Sequence, residues 1–370
     1  MSGCQRGCEW DRWLPPGRIG CTEGGHSHCT GITRFHSAEI DLNSKSLSAM
    51  PSSSILDRCV ELYLSQSARV WNRLPWSLRN RSSGCAFGRH LNRLVRAHAE
   101  RRQSFGTFFL RNRAELELLR RFVAQKPYAS RLDMSVLACS KGAEVYSMVW
   151  AIRSVRPDLQ LNLHAMDISG EILDFAAKGV FSLSSADALD RSHEESAEPI
   201  AAINWNTSRD QNASLFERLN KDELEAMFEV QGDQARVRQW LKEGITWCQG
   251  NAGDPNLLAT IGGPQEIVVA NRFLCHMKPV AAEQCLRNIS RLVRAGGYLF
   301  VSGVDLDVRT AVARELDWTP VTELMREIHE GDSSIRRGWP LNYWGLEPFD
   351  ERRKDWQIRY SSVFQIGKTV

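Results

Sequence analysis

The spacing of apolar residues changes near residue 132 and predicts two kinds of architecture along the chain. Before this point the apolar positions follow helical spacing, as in residues 54–69, and predict a small all-helical module. After it, short apolar runs alternate with amphipathic helical segments. The runs that predict strands are "MSVLACS", "LQLNLHAMD", "ITWCQGN", "QEIVVAN", "GGYLFVSGV" and, near the end, "WQIRYSSVFQI". Alternating strands and helices are typical of an α/β fold with a doubly wound, mostly parallel sheet.

Changes in composition place the domain boundaries. Residues 1–49 are rich in Gly, Arg, Trp and Ser, show no periodicity, and predict a disordered extension. An Arg-rich helical N-terminal module is expected over 50–131, and the α/β domain over 132–370. Within that domain the polar stretch 182–214 predicts a surface insertion. The tail predicts one further helix, at 321–329, ahead of an aromatic segment.

Composition and charge exclude several classes of protein. The 370 residues are 42% hydrophobic and 25% charged, which is ordinary for a globular protein. The net charge of +3 is too small to indicate a nucleic-acid partner. No apolar run approaches the length of a membrane span, and no secretory signal pattern stands at the N-terminus, so we expect a cytoplasmic protein.

Cysteine and arginine clusters each leave two interpretations open. Cys4, Cys8, Cys21 and Cys29 crowd the first thirty residues, and a zinc site there is the alternative to a disordered extension. Elsewhere no cluster of metal ligands is expected. The helical segment "RHLNRLVRAHAERR" carries arginines around a narrow apolar stripe. We expect its charged side to be solvated, and a docking face for an acidic protein segment is the alternative.

Polar residues follow the predicted strands at the points where the strands end. The first strand leads into a loop with Gly142 and Glu144, and the second ends at Asp167. The next two end at Asn251 and Asn271. Because ligands of an open α/β sheet bind beyond the carboxyl ends of the strands, this series predicts a binding site. Glycine permits close approach of a ligand, and the two acids suit an ammonium and the hydroxyls of a ribose.

Two nucleotide-binding motifs that are missing from the sequence limit the class of ligand expected at this site. The dinucleotide fingerprint G-x-G-x-x-G and the phosphate loop G-x-x-x-x-G-K-[ST] do not occur. One glycine beside acidic side chains suits a cofactor that has an adenosine but no phosphates. S-adenosylmethionine meets this description, and the double glycine of "VRAGGYLFVSG" is common in methyltransferases of this fold.

Two short motifs in the sequence, "ACSKGAEVYS" and "TFFLR", resemble motifs of a known family. They are similar to A-x-S-T-G-E-E-P-Y-S and T-x-F-F-R of the CheR family of chemotaxis receptor methyltransferases. "HAMDIS", "AKGVF" and "LNKDELEAMF" extend the resemblance over about residues 54–304. The resemblance implies a Rossmann-like class I methyltransferase that transfers a methyl group from S-adenosylmethionine to glutamate side chains, with a basic N-terminal module facing the substrate.

Carried over residue by residue, the resemblance implies a set of cofactor contacts. The methionine end would be held by Thr107, Arg111 and Glu144, the sulfonium by the backbone of Ala138, the ribose by Asp167, and the adenine by Ile168 and Asn251. Gly142 and Asn271 complete the predicted cofactor site, and Arg111 and His276 are the candidate catalytic residues.

The departures from the family fall on the acceptor side. The family's R-N pair is exchanged here to Asn271-Arg272, its tyrosine is His276, and its G-H-S-E becomes "SGVD". A carboxylate acceptor needs no base, whereas His276 would serve as the base for a hydroxyl or amine. The sequence therefore predicts a CheR-type methyltransferase acting on a carboxylate or hydroxyl of a protein or small molecule. The alternatives are a small-molecule O- or N-methyltransferase closed by tail aromatics, and a silent module that only binds the cofactor.

Overall fold

A computed structural model describes residues 55–101, 106–183 and 215–367. All of them belong to one compact unit, Ser53–Val370. The expected extension 1–49, with its cysteines, lies outside the described residues, as does nearly all of the expected insertion 182–214. The domain boundaries drawn from composition stay predictions.

From residue 131 onward strands are interspersed with helices, whereas the described residues before 131 contain helices and no strand. The helices are α1 (Ile55–Arg73), α2 (Trp76–Arg79), α3 (Ser82–His98), α4 (Arg113–Ala124), α5 (Ala143–Val155), α6 (Gly170–Lys178), α7 (Lys221–Met227), α8 (Leu257–Ile261), α9 (Pro279–Leu292), α10 (Leu306–Glu315), α11 (Met325–Glu330), α12 (Ser333–Gly338) and α13 (Trp356–Tyr360). The strands are β1 (Arg131–Leu137), β2 (Gln160–Asp167), β3 (Val180–Ser182), β4 (Phe228–Gln231), β5 (Gln234–Val237), β6 (Ile245–Gln249), β7 (Gln265–Val269), β8 (Val293–Phe300), β9 (Thr319–Pro320) and β10 (Val363–Gln365).

The main sheet has seven strands in the order β6-β2-β1-β7-β8-β10-β9. The first five of these pair in parallel, and β10 runs antiparallel to both of its neighbours. This arrangement confirms the predicted doubly wound, mostly parallel α/β fold. The chain builds outward from β1 in one direction through β2 and β6, then in the other through β7 and β8. The crevice beside the end of β1 is therefore the topological switch point at which such folds bind ligands.

The burial of the central strands and helices explains why their apolar patterns predicted them correctly. Residues 134 to 137 of β1 include Met134, Val136 and Leu137, and all three side chains are buried because helices cover both faces of the sheet. Helix α5, which follows, is buried along most of its length. Long apolar runs of this kind identify central elements by themselves.

The structure differs from the prediction in three places, two of them in the tail. The run "WQIRYSSVFQI" is not one strand: its first part is helix α13, and only Val363–Gln365 is a strand. Trp356 and Tyr360, four residues apart, both contact Phe349, so their helical spacing decides the conformation. The helix expected at 321–329 is the shorter α11, and α10 precedes it. The small antiparallel sheet β3-β5-β4 was not predicted, because strands of three or four residues give almost no periodic signal.

The helical module and the aromatic segment of the tail form a common core. Trp339 and Tyr343 pack with buried residues of α1 and α3. The Asn92 side chain of α3 donates hydrogen bonds to the backbone oxygens of Pro340 (3.0 Å) and Asn342 (3.1 Å). These tail aromatics therefore serve packing. Among the described residues, no helix is both long and apolar enough to cross a membrane.

Candidate active site

A cavity of about 340 Å³ opens at the carboxyl ends of the parallel strands. The predicted site residues that line it are Thr107, Arg111, Ala138, Glu144, Asp167, Ile168, Asn251, Asn271 and His276. Gly142 is not among the lining residues. The strand-end series and the family motifs thus bring their residues to one cavity, and the roles assigned to those residues stay predictions.

The loop after β1 has an unusual backbone. Ala138 (φ 53°) and Ser140 (φ 52°) lie in the left-handed region, which is uncommon for residues with a side chain, and Gly142 (φ 84°) lies there too. A Cβ on Gly142 would come within 3.1 Å of Ala176 and of Trp247, away from the cavity. Glycine is therefore required by the turn into α5, while the strained residues before it face the cavity.

Asp167 holds this loop in place. Its Oδ2 accepts a hydrogen bond from the Ser140 amide (2.8 Å), and its Oδ1 accepts one from the Ser169 amide (3.1 Å). A carboxylate oxygen has a second lone pair, so the buried Asp167 retains acceptor capacity toward the cavity. Ile168, with 54% of its side chain exposed, follows at the cavity mouth. The pair suits a ribose and the flat face of a base.

Glu144 belongs to a group of three polar side chains that the sequence did not reveal as a group. Asn271 Nδ2 donates to Glu144 Oε1 (2.9 Å) and also to Oε1 of Glu115 (2.7 Å), which reaches the cavity from α4. Loss of hydration and the nearby Glu144 charge raise the pKa of Glu115 to about 8. Loss of hydration also raises the pKa of Glu144. The cavity therefore contains two carboxyl groups bridged by one amide.

Arginines from distant segments meet on the next part of the wall. Arg272 and Arg218 each lie 3.2 Å from a carboxylate oxygen of Asp332. Arg111 donates to the Gly106 oxygen (2.8 Å), and in the described part of the chain its buried Nε has no hydrogen-bond partner. Loss of hydration and the Arg272 charge lower the pKa of Arg111 to about 10. Arg111 and Arg272 line the cavity, and their guanidinium groups can bind an anionic group there.

His276 sits in a segment that the helical module fixes from behind. The Arg101 side chain donates to the backbone oxygens of Cys275 (2.9 Å) and Met277 (2.8 Å), and it pairs with Asp305 (2.9 Å). Part of the arginine-rich character of the N-terminal module is thus structural. The prediction of a fully solvated basic face does not hold for this side chain.

The ring of His276 is oriented by the tail. Its Nδ1 lies 2.8 Å from the hydroxyl of Tyr343, whose ring packs at right angles to it. Tyr343 is part of the core shared with α1 and α3. A cavity-lining imidazole with one nitrogen held in this way has a defined orientation, which is a requirement for a general base.

The far wall comes from the tail, which the sequence-based prediction left out of the site. Arg309 and His329 line it together with Tyr360. Burial lowers the pKa of His329 to about 4, so its imidazole is neutral at physiological pH. Its Nε2 lies 2.9 Å from the backbone oxygen of Glu347. The sequence did not place these residues in the site, because their position at the cavity depends on the tail folding back over the sheet.

Comparisons with known proteins identify a matching domain and a partial relative. Residues 106–199 match the family described as CheR methyltransferase, SAM binding domain. An uncharacterized 104.1 kDa protein in the hypE 3' region of Rhodobacter capsulatus is 26% identical over 186 residues. That match covers 49% of this chain and 16% of the relative, so the chain spans less than a fifth of the relative's length.

Similar solved structures are methyltransferases. Magnesium protoporphyrin IX methyltransferase of Synechocystis PCC 6803, with bound SAM, is 10% identical with a TM-score of 0.30 over 75% of this chain and 90% of that chain. An O-methyltransferase family protein of Burkholderia thailandensis is 13% identical with a TM-score of 0.30 over 85% of this chain and 70% of that chain.

The residues of the cavity fit the cofactor of the matched domain. Arg111, whose buried Nε is unpartnered within the described residues, fits the methionine carboxylate. Glu144 fits the ammonium, and the spare acceptor capacity of Asp167 fits the ribose hydroxyls. Charge and hydrogen-bonding capacity thus match the methionine end and the ribose of the ligand.

Proposed function

We propose that this S-adenosylmethionine-dependent methyltransferase, whose residues 106–199 match the CheR SAM-binding domain, transfers its methyl group to a carboxylate. The observation that supports this acceptor is that two guanidinium groups, those of Arg111 and Arg272, line the same cavity, with Asp332 3.2 Å from Arg272. The cofactor's own carboxylate satisfies one guanidinium, and an acceptor carboxylate satisfies the other. Arginine is well suited to this task because its planar fork of donors matches a carboxylate.

The reaction asks the protein mainly for alignment. When bound, the cofactor supplies a methyl group activated by its positive sulfur. Arg272 would orient an oxygen of the acceptor carboxylate, which supplies the electron pair of the new carbon–oxygen bond, while the cofactor would keep the electron pair of its carbon–sulfur bond as a neutral thioether. An ionised carboxylate has no proton to lose, so this step needs no general base. Glu144 and Asp167 contribute by holding the two ends of the cofactor in line with the acceptor.

A hydroxyl acceptor is the second candidate. It is supported by the oriented ring of His276, held through Nδ1 by Tyr343 at 2.8 Å. The histidine would then take the hydroxyl proton as oxygen attacks. A small-molecule O- or N-methyl acceptor also needs this base.

Methyl labelling of a cell lysate separates these candidates. The purified chain is incubated with lysate and methyl-labelled S-adenosylmethionine, and the product is treated with mild alkali. A carboxyl methyl ester releases volatile labelled methanol, whereas an ether or an N-methyl group keeps the label. Label that resists alkali and disappears in His276→Gln refutes the carboxylate proposal, and binding without any labelling identifies a silent module.

The size of the labelled product addresses the acceptor class. By family resemblance we propose a protein glutamate, approached across the arginines of α3, of which Arg93 is exposed. A labelled product of protein size, whose labelling falls steeply with added salt and in Arg93→Glu, supports docking of an acidic segment. A labelled product that passes a dialysis membrane contradicts it.

A further inference from the structure

We propose that Glu115 is a second carboxyl group in the site for the cofactor's α-ammonium, and that cofactor binding releases one proton from the Glu115–Glu144 pair. The inference deepens the proposed function and rests on its assignment of this cavity to S-adenosylmethionine. Neither the family resemblance nor the strand-end series assigns any role to Glu115.

The orientation of Asn271 defines the geometry. Its Oδ1 accepts hydrogen bonds from the backbone amide of Ser302 (2.9 Å) and from the Ser302 hydroxyl (2.8 Å). Because a backbone amide only donates, the oxygen of Asn271 must face Ser302 and its NH2 must face the carboxyl groups. Both hydrogens of that NH2 are then used, one for Glu115 and one for Glu144. Asn271 is therefore a positioning residue that acts through the acids.

The two acids are close and poorly hydrated. Their Oε1 atoms are no farther apart than the two hydrogen bonds to Asn271 laid end to end, at 2.7 and 2.9 Å. Glu115 is buried among the residues of α4, and Glu144 is half-buried in the first turn of α5. Two carboxylates at this separation do not both ionise easily, so the pair holds a proton.

The charged groups around the pair do not remove this proton. Arg111, before α4, and Arg272, after β7, face both acids and favour their ionised forms. Their charge is shared with Asp332, which Arg272 contacts at 3.2 Å. Burial and mutual repulsion outweigh the two cations, and the pKa of Glu115 rises to about 8.

A ligand ammonium changes this balance. It brings a positive charge and three N–H donors, and the unused lone pairs of both carboxyl groups suit them. Opposite charge favours ionisation, so the second carboxylate becomes stable and the proton leaves to solvent. The affinity for an ammonium ligand should therefore rise with pH below the pKa of the empty pair.

Calorimetric titration with S-adenosylhomocysteine tests the proposal, because this demethylated form of the cofactor keeps the ammonium and has no methyl group to transfer. Between about pH 6 and about pH 7.5, linkage of one proton lowers Kd roughly tenfold per pH unit. Titration in buffers of different ionisation enthalpy should show close to one proton released per ligand. In Glu115→Gln, which keeps an oxygen acceptor for Asn271, we expect the release and the pH slope to vanish and Kd at about pH 7.5 to rise by roughly tenfold.

The control is Glu117→Gln on the same helix. Glu117 is partly exposed and pairs with Arg121, so this variant should keep the wild-type pH slope. Binding of the wild type without proton release, with unchanged Kd in Glu115→Gln, overturns the role of Glu115 and leaves the cofactor assignment intact. A wild type that binds no S-adenosylhomocysteine overturns both.

Discussion

Replacing Asp167 by asparagine should weaken cofactor binding and loosen the loop after β1 together. Both carboxylate oxygens accept backbone N–H groups, from Ser140 at 2.8 Å and from Ser169 at 3.1 Å. An asparagine side chain has only one oxygen. Whichever way its amide turns, an N–H group faces another N–H group, and a buried donor loses its acceptor. The loop is sensitive to this loss because Ser140 is held at φ 52°.

The magnitude follows from the charge that is removed. A hydrogen bond to a charged group contributes about 1.5–3 kcal/mol, and leaving its partner buried without an acceptor costs about 1–3 kcal/mol. Loss of one charged ribose contact therefore predicts roughly 10- to 100-fold weaker binding. The free energy of unfolding of the ligand-free protein should fall by about 2 kcal/mol, since the tether to Ser140 is lost as well.

Two measurements on Asp167→Asn check this reasoning. Calorimetric titration with S-adenosylhomocysteine gives the affinity, and urea unfolding without ligand gives the stability. Asp174→Asn, an exposed acid on α6, is the matched control and should leave both unchanged. An affinity for Asp167→Asn within about threefold of the wild type would refute the ribose role. An unchanged urea midpoint would refute the tether.

Three further predictions concern stability. Gly142→Ala should cost about 1–2 kcal/mol, measured by urea unfolding, because φ is 84° and the new Cβ lies 3.1 Å from Trp247; an unchanged midpoint would contradict the need for glycine. Glu347→Gln should lower the free energy of unfolding by roughly 3 kcal/mol in thermal unfolding, because it breaks the buried ion pair in which Glu347 Oε1 accepts a hydrogen bond from Arg359 Nε (2.6 Å). A loss of less than about 0.5 kcal/mol would show the ion pair to be dispensable. Because the pKa of Glu115 is raised to about 8 on folding, the folded chain keeps a proton that the unfolded chain releases, so wild-type stability should fall as pH rises from about 5 to about 8. Urea midpoints across that range should stay flatter in Glu115→Gln, and equal slopes in the two proteins would contradict the raised pKa.

The residues on the predicted cofactor side of the cavity could be identified from the sequence, because each pattern that indicates them occupies a short stretch of chain. An apolar strand, a glycine turn and an acid at the next strand end occupy a few residues each, and parallel strands bring their carboxyl ends to one edge. Glu144 and Asp167 could therefore be assigned to one site from the strand-end pattern, whereas Ala138 was assigned through the CheR resemblance. The CheR resemblance was confirmed over residues 106–199 for the same reason, since it is carried by these contiguous motifs.

The sequence by itself determined the alternating strands and helices of the parallel sheet, and with them the doubly wound fold and the edge at which the strand ends meet. The tertiary structure alone decided which distant polar groups share that edge. Glu115 accepts a hydrogen bond from Asn271, 156 positions away in the chain, and Asp332 pairs with both Arg218 and Arg272. The physical reason is that periodic burial can be recognised from the spacing of neighbouring apolar residues. The pairing of buried charges depends instead on how the tail and α4 fold back onto the sheet.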